Sequence, residues 1–253
     1  ACGTTGESPT LSPAEWQAVV ETCVSEARGL PVLAGTGTNS TASTVERTRL
    51  AARLGASGAL VVAPYYNRPT QAGLLGHFEQ VAAAAGGFPL VLYNIPGRTG
   101  VNMTPATVLT LSRIPGIRGI KEASGSLDQA SEIAAGADPE AFAVLAGDDA
   151  MTLPVLAVGG RGVVSTTGNV APRLMGDVTR RWEAGDTAGA LAAHRRLLPL
   201  IRLLFVETNP APVKAALALM GLCTDEVRSP LAALSHQHRE PLAHVLRDLE
   251  LLS

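Results

Sequence analysis

Six short apolar runs, each followed by a segment of helix length, organise the first two thirds of this chain: Leu30–Ala34, Ala59–Ala63, Pro89–Tyr93, Ile117–Lys121, Ala143–Ala146 and Gly162–Ser165. Each run is continuous rather than alternating in polarity, as expected of strands covered on both faces, and strands separated by helices pair in parallel. Helix boundaries are signalled between them. Ser12-Pro13-Ala14-Glu15 is a capping box with proline at the first helical position, and Thr104-Pro105 repeats the cap-then-proline pattern. Gly55 closes the helix that carries Val45, Leu50 and Leu54, and Gly86-Gly87 closes the one that carries Leu74, Leu75, Phe78 and Val81. Beyond Ser165 the pattern is wholly helical, over 171–183, 187–204, 212–220 and 240–251, broken at Gly185-Asp186, Asn209-Pro210 and Gly221.

This α/β alternation fits two architectures, an open doubly wound sheet or a (β/α)8 barrel. Nearly every predicted strand ends in polar residues: Gly35-Thr36-Gly37-Thr38-Asn39, Tyr65-Tyr66-Asn67, Tyr93-Asn94, Lys121-Glu122, Gly147-Asp148-Asp149 and Ser165-Thr166-Thr167-Gly168-Asn169. A barrel gathers all such ends at one mouth, whereas an open sheet concentrates them near one switch point. The distribution favours the barrel; the spacing by itself is compatible with either. A barrel needs two strands more, which the helical tail cannot supply, and ahead of Leu30 stand only Ala1–Ser8 and one helix. The expectation is a TIM barrel whose first strand and most of whose second are absent from this chain. Residues 1–170 would form the barrel, and 171–253 its last helix with a helical C-terminal extension.

Composition excludes several classes of partner. With 253 residues, 46% of them apolar, the chain is long enough to bury a core. Its net charge is −2, with no basic block and no arginine stripe interleaved with aromatics, so neither nucleic acid nor an anionic membrane is implied. No stretch reaches the roughly 18 apolar residues of a membrane span, and no charged segment precedes an apolar one as in an export signal. Cys2, Cys23 and Cys223 are an odd number without CxxC spacing. That usage argues against a disulfide framework or a thiolate metal site and fits a reducing cytoplasm.

The chemistry concentrates on a lysine. Only Lys121 and Lys214 stand against eighteen arginines, and Lys121 closes the run Ile117-Arg118-Gly119-Ile120-Lys121. A strand-capping surface lysine is the plain alternative. At a barrel mouth, however, partial desolvation disfavours the ammonium and raises the fraction of free amine that can attack a ketone, which a guanidinium cannot do. Tyr93 on an adjacent strand can shuttle protons through carbinolamine formation and dehydration, with a threonine hydroxyl linking it onward. Gly3-Thr4-Thr5-Gly6-Glu7-Ser8 offers hydroxyls and exposed amides for a small carboxylate, and Arg98 in Gly97-Arg98-Thr99-Gly100 can fork onto a second one.

Taken in order, Gly3-Thr4-Thr5-Gly6-Glu7-Ser8, Pro64-Tyr65-Tyr66-Asn67-Arg68-Pro69, Tyr93-Asn94-Ile95-Pro96-Gly97-Arg98-Thr99-Gly100, Ile120-Lys121-Glu122-Ala123-Ser124-Gly125 and Gly147-Asp148-Asp149 resemble the 4-hydroxy-tetrahydrodipicolinate synthase family, as does Phe205-Val206-Glu207-Thr208-Asn209-Pro210 in the tail. The resemblance implies a (β/α)8 barrel with a helical extension. It implies a lyase that condenses pyruvate with L-aspartate 4-semialdehyde, the first committed step toward diaminopimelate and lysine. Lys121 would form the imine with pyruvate, whose enamine attacks the semialdehyde. Tyr93, Thr5 and Tyr66 would make the proton relay, Tyr66 reaching into the neighbouring subunit's site, which implies a homo-oligomer: a dimer at least, a dimer of dimers in full. Thr4 and Thr5 would hold the pyruvate carboxylate and Arg98 the semialdehyde, with the Val164 backbone and Gly147 beside the imine. Neither a metal nor an organic cofactor is implied.

Sister enzymes such as N-acetylneuraminate lyase and the keto-deoxy-sugar-acid aldolases share the lysine and the tyrosine. Arg98-Thr99-Gly100, the tandem Thr4-Thr5 and the paired Tyr65-Tyr66 favour the synthase. An incomplete barrel wall also leaves open a non-catalytic binding protein. Some synthases of this family bind lysine as an inhibitor through an acid, a histidine, an asparagine and a tyrosine. Asn39 and Tyr65 match two of these, but Ser43 and Trp16 replace the acid and the histidine, so weak or absent lysine inhibition is expected.

Other motifs have plainer readings. Gly35-Thr36-Gly37-Thr38-Asn39-Ser40 ends in serine where a dinucleotide fingerprint has glycine, and reads as a barrel loop. Asp148-Asp149 lacks further ligands at metal spacing and reads as helix capping. His77, His194, His236, His238 and His244, Arg180-Arg181, Arg195-Arg196 and Lys214 are all expected at the surface.

Overall fold

The computed structural model describes residues 1–252. Six strands alternate with helices in the order α1 (Pro13–Glu26), β1 (Leu33–Gly35), α2 (Thr41–Arg53), β2 (Gly58–Val62), α3 (Gln71–Ala85), β3 (Leu90–Asn94), α4 (Pro96–Thr99), α5 (Pro105–Leu111), β4 (Ile117–Glu122), α6 (Leu127–Gly136), β5 (Ala143–Ala146), α7 (Thr152–Ala157) and β6 (Gly162–Val163). Four helices follow: α8 (Pro172–Glu183), α9 (Thr187–Leu203), α10 (Ala211–Leu219) and α11 (His236–Asp248). The sheet order is β1-β2-β3-β4-β5-β6, every pair parallel.

The continuous apolar runs are explained by two buried faces. Ala59, Val61, Leu90, Leu92, Ile120, Val144 and Ala146 pack outward with the helices around Leu74, Phe78, Val108 and Ile133. Their neighbours in sequence, Leu60, Val91 and Tyr93, turn the other way and cluster with Leu33, Val62 and Leu145. A second core of α8 to α11 is built around Val178, Leu197, Leu200, Val213 and Leu246.

Local signals held where they rest on backbone chemistry. Ser12 and Glu15 form the reciprocal capping box, and the Thr104 side chain accepts from Thr107 N–H. Gly86 takes the left-handed conformation that ends α3, at φ 60°. The first strand starts three residues later than expected, because Leu30 is 73% exposed and Pro31 has no N–H to give a ladder. Ala1 lies against β1, its nitrogen donating to Leu33 O at 2.7 Å and its carbonyl accepting from Gly35 N–H at 2.8 Å. Gly37 lets the loop after β1 lie on β2, since a Cβ there would stand 2.3 Å from Val62 N. Among the described residues, no helix is long and apolar enough to cross a membrane.

Three expectations fail. His77 and His194 are only 4% and 7% exposed, and His77 Nδ1 lies 2.9 Å from the Thr41 hydroxyl of α2, a partner 36 residues away that the local pattern could not reveal. Lys214 is not free at the surface: its ammonium donates to the Glu7 carboxylate at 3.0 Å, across 207 residues of sequence.

Candidate active site

Parallel pairing places Tyr93 of β3 opposite Lys121 of β4, and Asn94 opposite Glu122. Side-chain alternation then turns Tyr93 and Lys121 to the inner face and Asn94 and Glu122 to the helices. The Lys121 ammonium lies 4.2 Å from the centroid of the Tyr93 ring. Burial pushes the Lys121 amine down to about 8; the Asp149 carboxylate opposes this and the Arg98 guanidinium adds to it. Burial likewise raises the Tyr93 phenol, against the lowering effect of a hydrogen bond with Thr4 and of the Arg98 charge.

Gly147 follows β5 and donates its N–H to Glu122 O at 2.7 Å. A Cβ at this position would stand 3.0 Å from Lys121 Cγ and 2.6 Å from Ala123 Cβ, so glycine leaves room for the lysine stem. Val164, held through its N–H to Ala146 O at 2.9 Å, lines the same cavity as Lys121, Tyr93, Thr4, Thr5 and Arg98. That cavity measures about 580 Å³, and an adjoining cleft of about 830 Å³ continues past Arg98 to Tyr65, Tyr66 and Asn39. Leu33 and Leu60 also line the cavity, so β1 to β4 and the residues just past the ends of β5 and β6 all reach one space.

The tandem threonines divide differently from the expectation. Thr4, not Thr5, is the hydroxyl beside the Tyr93 phenol. Thr5 Oγ1 instead accepts from Asn209 Nδ2 at 2.9 Å. The loop backbone decides this, with Gly6 N–H bonded to Gly3 O and Glu7 in the left-handed region at φ 53°. Tyr66 is not gathered into this chain's own cavity; it stands 88% exposed with φ 73°.

Two residues of the site were not anticipated. Asn209, from the segment between α9 and α10, also accepts through its backbone O from Arg98 Nη2 at 3.4 Å, so it touches both candidate carboxylate anchors. In the sequence it stood in the helix-breaking pair with Pro210 and inside the family-like stretch Phe205–Pro210, with no role attached to it. Asp148 caps as expected, accepting from Ala150 N–H at 2.9 Å. Asp149 does not; it is 1% exposed, and Oδ2 accepts from the N–H groups of Thr166 and Thr167 and from the Thr167 hydroxyl. Its Oδ1 has no hydrogen-bond partner. All three cysteines are free, and no cluster of three histidine, cysteine, aspartate or glutamate side chains suited to a metal occurs among the described residues.

An inward amine with a depressed pKa, a phenol against it and a carboxylate-sized loop beside both can make an imine with a keto acid. The model of the Dihydrodipicolinate synthetase family matches residues 1–249. This chain belongs to that family. It is 50% identical to 4-hydroxy-tetrahydrodipicolinate synthase of Thermomicrobium roseum, over 97% of this chain and 81% of that one. The crystal structure of dihydrodipicolinate synthase from Thermotoga maritima superposes with a TM-score of 0.97 at 42% identity, covering 99% of this chain and 86% of that one. The chloride-inhibited dihydrodipicolinate synthase from Acinetobacter baumannii, crystallised with pyruvate, gives 0.96 at 41% identity, over the whole of this chain and 86% of that one.

Proposed function

We propose that this member of the family condenses pyruvate with L-aspartate 4-semialdehyde to 4-hydroxy-tetrahydrodipicolinate through an imine on Lys121. The observation that carries this reading is the Lys121 amine, brought down to about 8 and packed 4.2 Å from the Tyr93 ring. The neutral amine adds to the pyruvate ketone and the carbinolamine loses water. The iminium then acts as the electron sink, so C3 gives up a proton and becomes a nucleophilic enamine carbon. That carbon bonds to the aldehyde carbon, whose oxygen takes a proton. The amino group of the semialdehyde next adds to the imine carbon, closing the ring and releasing Lys121; overall one water leaves.

Tyr93 is the proton carrier for these steps, with Thr4 as its hydroxyl partner in place of Thr5. Thr5, secured by Asn209, and the amides of the Gly3–Gly6 loop receive the pyruvate carboxylate. Arg98 receives the carboxylate of the semialdehyde. Tyr66 serves the site of a second subunit, so the enzyme works as a homodimer or a dimer of dimers, in the cytoplasm. The sheet is read as the arc of a (β/α)8 barrel formed by residues 1–170, with 171–253 as its last helix and extension.

Incubation with pyruvate and borohydride, followed by intact and peptide mass, should give one reduced adduct on Lys121, and Lys121→Arg should give none. Consumption of aspartate semialdehyde must accompany it, because a sister aldolase would form the adduct alone. Absence of any adduct on the folded protein would overturn the imine reading.

A further inference from the structure

Glu122 is 5% exposed, yet it belongs to none of the ion pairs among the described residues. A buried carboxylate without a cation is costly to keep. It is kept by hydrogen bonds alone: Oε1 accepts from Ser124 N–H at 2.6 Å, and Oε2 accepts from Asn94 Nδ2 and Gln129 Nε2, both at 3.0 Å. The amide orientations are fixed by other partners. Asn94 Oδ1 accepts from Met103 N–H at 3.0 Å, which turns its Nδ2 toward Glu122. Asn102 completes the ring, accepting from Asn94 at 2.7 Å and donating to Gln129 Oε1 at 2.9 Å.

The ring sits directly behind the reacting pair. Tyr93 and Asn94 are consecutive on β3, Lys121 and Glu122 are consecutive on β4, and the register pairs them in the same order. The Glu122 side chain therefore ties β3 and α6 to β4, while its carbonyl holds Gly147 N–H at 2.7 Å after β5. We propose that Glu122 is a positioning residue for the condensation, its buried carboxylate locking the strand ends that set Lys121 against Tyr93. The proposal rests on Lys121 being the imine-forming amine.

A carboxylate is required because both of its oxygens face N–H donors. Glutamine of the same shape must turn its NH2 either to Ser124 N–H, making one donor-to-donor contact, or to Asn94 and Gln129, making two. The strand ends relax by a fraction of an ångström, and misplacement on that scale lowers a chemical step without removing a substrate anchor.

Glu122→Gln should therefore bind both substrates with KM within about twofold of the parent while kcat falls on the order of 10- to 100-fold. The time course of borohydride-trapped pyruvate adduct should slow in parallel and still reach full occupancy. Gln129→Met leaves Glu122 two of its three donors, and should lower kcat in the same direction by roughly 3- to 10-fold. It also decides the matter if Glu122→Gln does not fold. Parent kcat in either folded variant, with only a lower Tm, assigns the ring a purely structural role and overturns the proposal. So does a loss confined to KM, or a shift of the pH profile that accounts for the whole loss. Failure of the parent enzyme to form any adduct condemns the imine reading instead.

Discussion

An amine with a pKa of about 8 is mostly protonated at pH 7, but its neutral fraction is about 300-fold larger than that of an ordinary lysine. Burial is the first cause, and two charges then act on it in opposite directions: Asp149 holds the proton on and Arg98 pushes it off. Asn at 149 can keep the three donors on its oxygen, since all three converge on Oδ2, and its NH2 takes the place of the unpartnered Oδ1. Asp149→Asn should thus move the ascending limb of the kcat/KM profile for pyruvate to lower pH, below about 8, and increase the initial rate of imine formation at pH 7. An unchanged or raised limb in a folded variant would show that Asp149 does not reach Lys121 electrostatically.

At the scale of elements, the loop proposed to hold pyruvate is itself held by the helical extension. Glu7 accepts from Lys214 of α10 at 3.0 Å and from Arg228 N–H at 2.7 Å, and the Arg228 guanidinium reaches Glu15 of α1 at 2.7 Å. Burial acts to raise the Glu7 carboxyl, but Arg228 and Lys214 bring it below its ordinary value. Its contribution to stability is therefore present above the ordinary carboxylate range and is lost as pH falls through the lowered folded value. Lys214→Met should cost roughly 1 to 3 kcal/mol, because the pair is partly buried and Glu7 keeps only one of its two partners. It should also raise the KM for pyruvate more than the KM for the semialdehyde; unfolding curves and steady-state kinetics read the two effects. This clamp also marks the limit of what the sequence could show. The strands were legible because two buried faces make continuous apolar runs, and the caps because they are made within four residues. Lys214 looked like a surface lysine because its partner lies 207 residues away. Thr4 and Thr5 could not be told apart, since adjacent hydroxyls differ only in the backbone angles of their loop. Glu122 was visible as a strand end, but its three donors come from three separate segments.

On the scale of the whole molecule, the long cleft and the exposed Tyr66 both look outward from this subunit. In the outer cleft, where the family resemblance places an inhibitory lysine, Arg47 joins Asn39, Ser43 and Tyr65, while Trp16 is fully buried with its indole N–H on Gly35 O at 3.0 Å. A cation and no carboxylate repel an ammonium ligand, so lysine at a few millimolar should leave the steady-state rate unchanged; half-inhibition near or below roughly 1 mM would contradict this. Tyr66 supplies the stricter test of assembly. If it completes the proton relay of the partner's site, then Lys121→Ala and Tyr66→Phe damage different subunits' sites. A mixed dimer of the two contains one site with an intact Lys121 that receives an intact Tyr66 from its partner. Each variant alone should be nearly inactive, and unfolding and refolding them together should restore activity toward one quarter of the parent value per subunit, the share expected when half the dimers are mixed and each carries one whole site. If Tyr66 acts within its own subunit, mixing restores nothing, because no mixed site contains both residues.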